Sequence, residues 1–353
     1  MSPSSPKEIP LGAVRFNSAS QKLEYWMGSA WMQIQTFSPN LGNDNASAGQ
    51  SAKGTGVRGL FCGGDPSRTT NMDYITIPTR GDTIDFGDLP FNRGGMNIGI
   101  QASNTRGFIC GGEAPVGDSN NYITRFEFAS TGSAVDHADL TFTSKNGGSY
   151  SNATRAIQHR GYGAPSITHE DVCYFTMASS ANASDFGDIE SGASYGGGGM
   201  ASPTRGVILI GYKDPQVNTI EFCTISTTGN FHDFGDVSTL SNGQRSGTGG
   251  SSTRGVSMGG GNPPYITTCS FLTYATLGNT TNFGDLTSAQ AYGVSVSDSI
   301  TSIFGAGQVT GGSTTNKMES LNISTGGTAV DSGDLQSSRR ERSAASNGHG
   351  GLG

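Results

Sequence analysis

The chain has 353 residues, 55 of them glycine, a formal charge of −7 and only 14% charged residues. Glycine at about twice its usual share, without a three-residue period, excludes collagen and leaves many short strands joined by tight turns. The acidic balance argues against nucleic acid, which needs a basic patch, and five cysteines without a CxxC make no disulfide framework.

The first ten residues, MSPSSPKEIP, lack an apolar h-region, so no secretory signal is expected and the thiols should stay reduced after synthesis in a cytoplasm. No run approaches the ~18 apolar residues that cross a bilayer, so no membrane insertion is expected. Residues 11–37, LGAVRFNSASQKLEYWMGSAWMQIQTF, contain three strand-like runs, AVRFN, KLEYWM and WMQIQTF. Both tryptophans of the chain, Trp26 and Trp31, fall here with Phe16, Leu23, Tyr25 and Ile34. So short a meander cannot cover that apolar surface by itself, so the segment 1–37 must dock onto its own chain, another copy or a larger particle. Residues 38–56, rich in Gly, Ser, Asn and Ala, read as a linker.

From residue 57 two markers recur. VRGLFCGG at 57 is followed by relatives at 105, 154, 204, 253 and 301, with Arg58, Arg106, Arg155, Arg205 and Arg254 spaced by 48, 49, 50 and 49 residues. IDFGDL at 84–89 returns around 136, 185, 233, 282 and 331 with the same period of about 49. Between the markers lie a Gly/Ser-rich stretch, a variable loop, a β-branched and aromatic run such as YITRFEF, and a turn at Gly132, Gly229, Gly278 or Gly326. Short runs bounded by glycine turns are strands. Four strands per repeat, six times over, predict an all-β chain with one propeller blade per repeat. Cys62 and Cys110 hold equivalent slots and read as compact buried side chains. The C-terminal SRRERSAASNGHGG aligns with the segment before each TRG and is expected to pair with the first repeat; residues 43–53 are the competing donor.

The second marker keeps Asp88, Asp139, Asp188, Asp236, Asp285 and Asp334, each after a small residue and before an apolar one. Asp beside Gly is turn chemistry, and the arginines are expected to tie blades together, including by forking onto these carboxylates. A ring of six carboxylates for calcium is the functional alternative. A residue every repeat needs is architecture first, and without the other kinase signatures DFG is no metal-binding loop. GxxxxGK[ST] and HExxH are absent and no nucleophile elbow is visible, so no catalytic residue, metal or cofactor is expected. The loops after the paired glycines (65–73, 113–121, 164–171, 213–218, 262–268, 308–317) differ in every repeat and should share one face. Arg68, His169, Tyr212 and Tyr265 are the candidate contact residues there.

The double glycine and the ~50-residue period resemble the kelch repeat over roughly residues 50–350, with DFGDL in place of the usual kelch Tyr and Trp. The whole is therefore expected to be a six-bladed kelch-like β-propeller over 57–353 behind a small N-terminal β-meander. GAVRFNSASQKLEYWMGSAWMQI resembles a segment near the start of tailed-bacteriophage fibre and appendage proteins, and the DFGDL repeats resemble virion proteins of marine phages and cyanophages. That resemblance implies a virion structural protein, trimeric through its N-terminus, attached there to other virion proteins. Its propeller would meet a host-surface glycan or protein. A structural adaptor binding only virion proteins, and a polysaccharide-degrading propeller enzyme, are the alternative functions.

Overall fold

The computed structural model describes residues 9–17, 22–33, 57–95, 97–113, 119–162, 169–192, 195–212, 217–239 and 245–353. The chain divides into two compact units, 1–49 and 50–353. The expected linker, the donor at 43–53 and Ile34 lie outside the described residues.

In the first unit, Val14–Asn17, Lys22–Trp26 and Trp31–Gln33 make an antiparallel meander. Val14 faces Tyr25, Phe16 faces Leu23, Tyr25 faces Met32 and Trp26 faces Trp31. Because side chains alternate along a strand, Val14, Phe16, Leu23, Tyr25 and Met32 share one face, and all five are exposed, Phe16 by 63%.

The second unit is all-β and β-propeller-like, with no α-helix among its described residues. Repeat two shows the unit. Ile98–Ile100 leads through a tight turn to Arg106–Cys110, which pairs antiparallel with Asn120–Glu127, which pairs with Val135–Ser144. Repeats three to six repeat the plan with first strands Gly148–Ser151, Gly199–Ala201, Gly247–Gly250 and Val294–Ser297. Repeat one begins directly at Arg58–Cys62, and its missing first strand is Ser343–Ser346, antiparallel to it with Ser343 opposite Cys62. These first strands are wholly buried and each touches the next, Val294–Ser297 meeting Ser343–Ser346. Their Gly, Ser and Ala content follows from that crowding: a Cβ on Gly99 would strike the Ser149 carbonyl.

The TRG marker follows a small cap. Ser103, Asn152, Ser202 and Ser251 each accept backbone N–H bonds from two and three residues on, the second being the marker arginine. Such side-chain turns are what Ser and Asn favour. For Arg58 the cap comes from the other end of the chain: its N–H donates to Asn347 Oδ1 at 2.8 Å.

DFGDL is not a turn. It lies inside the fourth strand of each repeat (Ile84–Arg93 in repeat one), and in all six the pairing register slips there, which is a β-bulge. A bulge inserts one unpaired residue and so reverses the alternation of faces. That is why Phe86 and Leu89, three apart, are both buried, as are Phe186 with Ile189 and Phe234 with Val237. The bulge glycine has positive φ (+142° at Gly87, +136° at Gly187) and lets the next repeat approach. The N–H groups of Gly132 and Ala134 donate to the carbonyls of Phe86 and Asp88; Gly229 and Phe231 do the same to Phe186 and Asp188. Gly81 and Thr83 of repeat one make the same pair of bonds to Ser332 and Asp334 of repeat six, at 3.0 and 2.9 Å. Repeat two carries Ala138 instead of glycine, and there the Ala183-to-Asp139 bond stands for the pair.

Candidate binding face

The marker residues are joints between repeats, but the expected arginine–aspartate forks do not form. Arg58, Arg155, Arg205 and Arg254 each lie over an aromatic ring of their own repeat, Tyr74, Tyr174, Phe222 and Phe271, at 4.4–5.1 Å. Each then donates to a backbone carbonyl of the next repeat: Phe128, Ile225, Tyr274 and, for Arg254, Ser324. A carbonyl at a strand end is a fixed acceptor. Arg106 departs because Arg125 stands where the others have the aromatic; both pair with Glu127. Between repeats the aspartates contribute backbone N–H groups, capped at Asp139, Asp188 and Asp236 by Asn182, Asn230 and Asn279 of the following repeat, while the Asp88 and Asp285 carboxylates accept from Thr70 and Thr267 of their own repeats. Among the described residues no group of three or more His, Cys, Asp or Glu is placed to hold a metal ion.

The two ends of the first-strand bundle differ. At the end carrying the TRG turns, the C-terminal residues fill the axis. His349 is buried, its Nε2–H donates to the Ala102 carbonyl at 2.9 Å, and its Nδ1 accepts from Gly351. Burial holds its pKa down to about 4, so the ring is neutral. A Cβ on Gly350 would meet the Ser251 and Ala201 carbonyls, so glycine is the residue that fits.

At the other end, the residue entering each first strand is left-handed: Gly95, Asn146, Gly196, Arg245, Tyr292 and Glu341, with φ between +51° and +69°. Each links to the one before by N–H to carbonyl: Asn146 to Gly95, Gly196 to Asn146, Arg245 to Gly196, Tyr292 to Arg245 and Glu341 to Tyr292, at 2.6–3.1 Å. At the sixth junction the Gly95 N–H donates to Asp65 Oδ2 at 2.9 Å. Four of the six are not glycine, and left-handed backbone at such residues is sparsely populated and gathers at functional sites. Asn146, Arg245, Tyr292 and Glu341 close over Ile98 and Val294 around about 10 Å³, room for one water at most.

Around this mouth runs a chain of contacts. Arg68 pairs with Glu113 at 2.9 Å and Glu113 with Lys145 at 2.8 Å. Lys145 lies over Tyr162, and Tyr162 packs edge-on against Tyr195. Arg245 sits over both Tyr195 and Tyr292, at 5.5 and 4.5 Å, and Arg340 over Tyr292 at 5.5 Å. Arg340 and Asp65 then exchange backbone bonds, returning to repeat one. Burial pushes the Glu341 carboxyl above the ordinary carboxylate range, with Arg340 opposing the shift.

Of the residues expected on a shared loop face, Arg68 belongs to this chain of contacts. Tyr265 joins it edge-on to Tyr292, its hydroxyl donating to Gln308 Oε1 at 2.8 Å, and Tyr212 joins through its backbone bond to Tyr195. His169 lies 3.7 Å from the Asp171 carboxylate that Arg160 also holds. Sequence reasoning missed Arg245, Tyr292, Arg340 and Glu341. The available signal was their shared place, just before each small-residue strand, at the 49-residue period.

In the N-terminal unit Trp26 and Trp31 are half-buried. Trp26 and Trp31 pack together at 5.5 Å under Arg15, which lies 4.1 Å from the Trp31 ring centre and pairs with Glu24. Strand alternation puts them opposite the bare face of Val14, Phe16, Leu23, Tyr25 and Met32.

No protein-family model and no curated protein matches the chain. A solved structure titled "Structure of YjhT" matches with a TM-score of 0.56 at 13% identity, over 71% of this chain and 91% of its own. Likeness at that identity is one of fold alone, the β-propeller-like arrangement.

Proposed function

We propose that the six repeats are six blades of a closed propeller. We further propose that the chain is a non-enzymatic binding protein of a tailed-bacteriophage virion, a tail fibre or related appendage. Closure is supported by the bonds from Gly81 and Thr83 to repeat six, which have the same form as those between neighbouring repeats. Virion attachment through the N-terminal sheet is supported by its bare apolar face, which needs a partner surface, and by the resemblance of that segment to phage fibre proteins. The same resemblance adds trimerisation there. Recognition is supported by the mouth, the single observation that carries the reading. Six positions are held in one backbone state while their side chains differ, so a rigid frame displays Arg245 and Tyr292, residue types enriched where surfaces bind.

The test is a particle assembled with the wild-type chain, with Phe16→Asp or with Tyr292→Ala. Phe16→Asp should be lost from particles. Tyr292→Ala should be incorporated while adsorption to host cells falls by roughly tenfold, a hot-spot-sized loss. Normal incorporation of Phe16→Asp refutes the attachment surface. Normal adsorption with Tyr292→Ala refutes recognition at the mouth and leaves the structural adaptor.

A further inference from the structure

The mouth is basic on an acidic protein. Among the described residues around it, Arg68, Lys145, Arg245, Arg339 and Arg340 face Asp65, Glu113 and Glu341, five cations against three carboxylates, on a chain whose formal charge is −7. The imbalance is concentrated at Tyr292, where the guanidiniums of Arg245 and Arg340 lie on the same ring at 4.5 and 5.5 Å. Arg245 is held by Asn262 Oδ1, a neutral acceptor, at 2.9 Å. Arg340 has Glu341 as its carboxylate neighbour, at 3.8 Å, and its Nε is buried without a hydrogen-bond partner. Two like charges on one ring are a place where an anion adds charge-assisted bonds at little ordering cost.

Arg340 also lines an open groove of about 460 Å³ between repeats one and six, with Pro66, Gln308, Gly312, Ser313 and Thr314. The volume suits a small ligand or a short stretch of polymer. Its lining side chains bring hydroxyl and amide groups with a single proline, and these match a hydroxyl-rich ligand.

We propose that this groove and the adjoining Arg245–Tyr292–Arg340 cluster bind an acidic polysaccharide, its anionic group on the two guanidiniums and its hydroxyls along Gln308, Ser313 and Thr314. The proposal rests on the reading of the mouth as the recognition surface and names the class of ligand it takes.

The test uses the full chain, with polygalacturonate and dextran sulfate as acidic probes, neutral dextran, and polyphosphate as a polyanion without sugar. At least one acidic polysaccharide should bind, weaken as salt is raised, and compete with adsorption of the chain to host cells. Arg340→Gln and Arg245→Gln should each weaken it by about tenfold, Arg340→Lys less, and Arg125→Gln not at all; thermal melts confirm that each variant is folded. Dextran binding equally well, polyphosphate equalling the acidic sugars, or binding indifferent to both arginine changes overturns the proposal. If the chain adsorbs to cells and no acidic polysaccharide competes, the ligand class is wrong while recognition stands. If an acidic polysaccharide binds and cells do not, the ligand class stands and host recognition falls.

Discussion

At the scale of single residues, the recurring Asp-Phe-Gly-Asp works through backbone. Gly187 has φ +136°, and a Cβ there would lie 2.5 Å from the Gly229 carbonyl carbon of the next repeat. Gly187→Ala therefore meets strain and a backbone collision together and should cost about 2–3 kcal/mol in urea unfolding. Asp188→Ala keeps the N–H that Asn230 caps and the carbonyl that Phe231 bonds, and should cost less than about 1 kcal/mol. Equal losses would return the role to the carboxylate. His349 carries a second residue-scale prediction. Its folded pKa, about 4, is below the unfolded value, so at lower pH the unfolded chain binds a proton that the folded chain refuses. Its contribution is therefore whole above about pH 6.5 and falls as pH drops toward 4, by up to about 1.4 kcal/mol per pH unit. Denaturant midpoints for wild type and His349→Gln should converge on acidification through that window; parallel curves would contradict a neutral buried ring. The five cysteines, all buried, are pushed up in pKa by the same desolvation, Cys62 to about 12, and act as small hydrophobes.

At the scale of elements, the strand Ser343–Ser346 is fastened by a buried ion pair that no other repeat has among the described residues. Arg342 and Asp73 are both fully buried, 2.7 Å apart, and Arg342 also donates to the Phe61 carbonyl at 2.8 Å. Removing one partner strands a buried charge, so Arg342→Ala should cost roughly 3–5 kcal/mol, and Arg342→Met with Asp73→Leu should recover much of it. A loss under about 1 kcal/mol in the single variant would mean the strand is held otherwise. The period and the four-strand repeat were legible in the sequence because both markers are joints that every repeat must make. The bulge was not, since Asp and Gly serve turns and bulges alike and only a pairing partner separates them. The one local hint was parity: Phe86 and Leu89 are three apart, which an unbroken strand cannot bury together. The arginine's carbonyl partner was equally hidden, because backbone acceptors leave no trace in residue type. The mouth was half legible. Variable loops marked the face and so Arg68, Tyr212 and Tyr265, but Arg245, Tyr292 and Glu341 share a backbone conformation and no chemistry, and identity-based alignment passes over such positions.

At the scale of the molecule, the proposed closure would set where the loops converge. The C-terminus supplies repeat one with its first strand, its Asn347 cap and its Arg342 lock, and then fills one axial end with Gly350–Leu352. The opposite end carries the Tyr and Arg side chains that the proposed recognition uses, Tyr195, Tyr292, Arg245 and Arg340 among them. The pairing of Ser343 with Cys62 offers the most direct test, because Ser343→Cys sets a thiol opposite a native cysteine at a spacing close to that of a disulfide. Oxidative refolding of that variant should yield a monomer in which position 343 is bridged to Cys62, read by mass spectrometry of the unreduced peptides. A bridge between two chains, or none while the protein is folded, would contradict the closed arrangement.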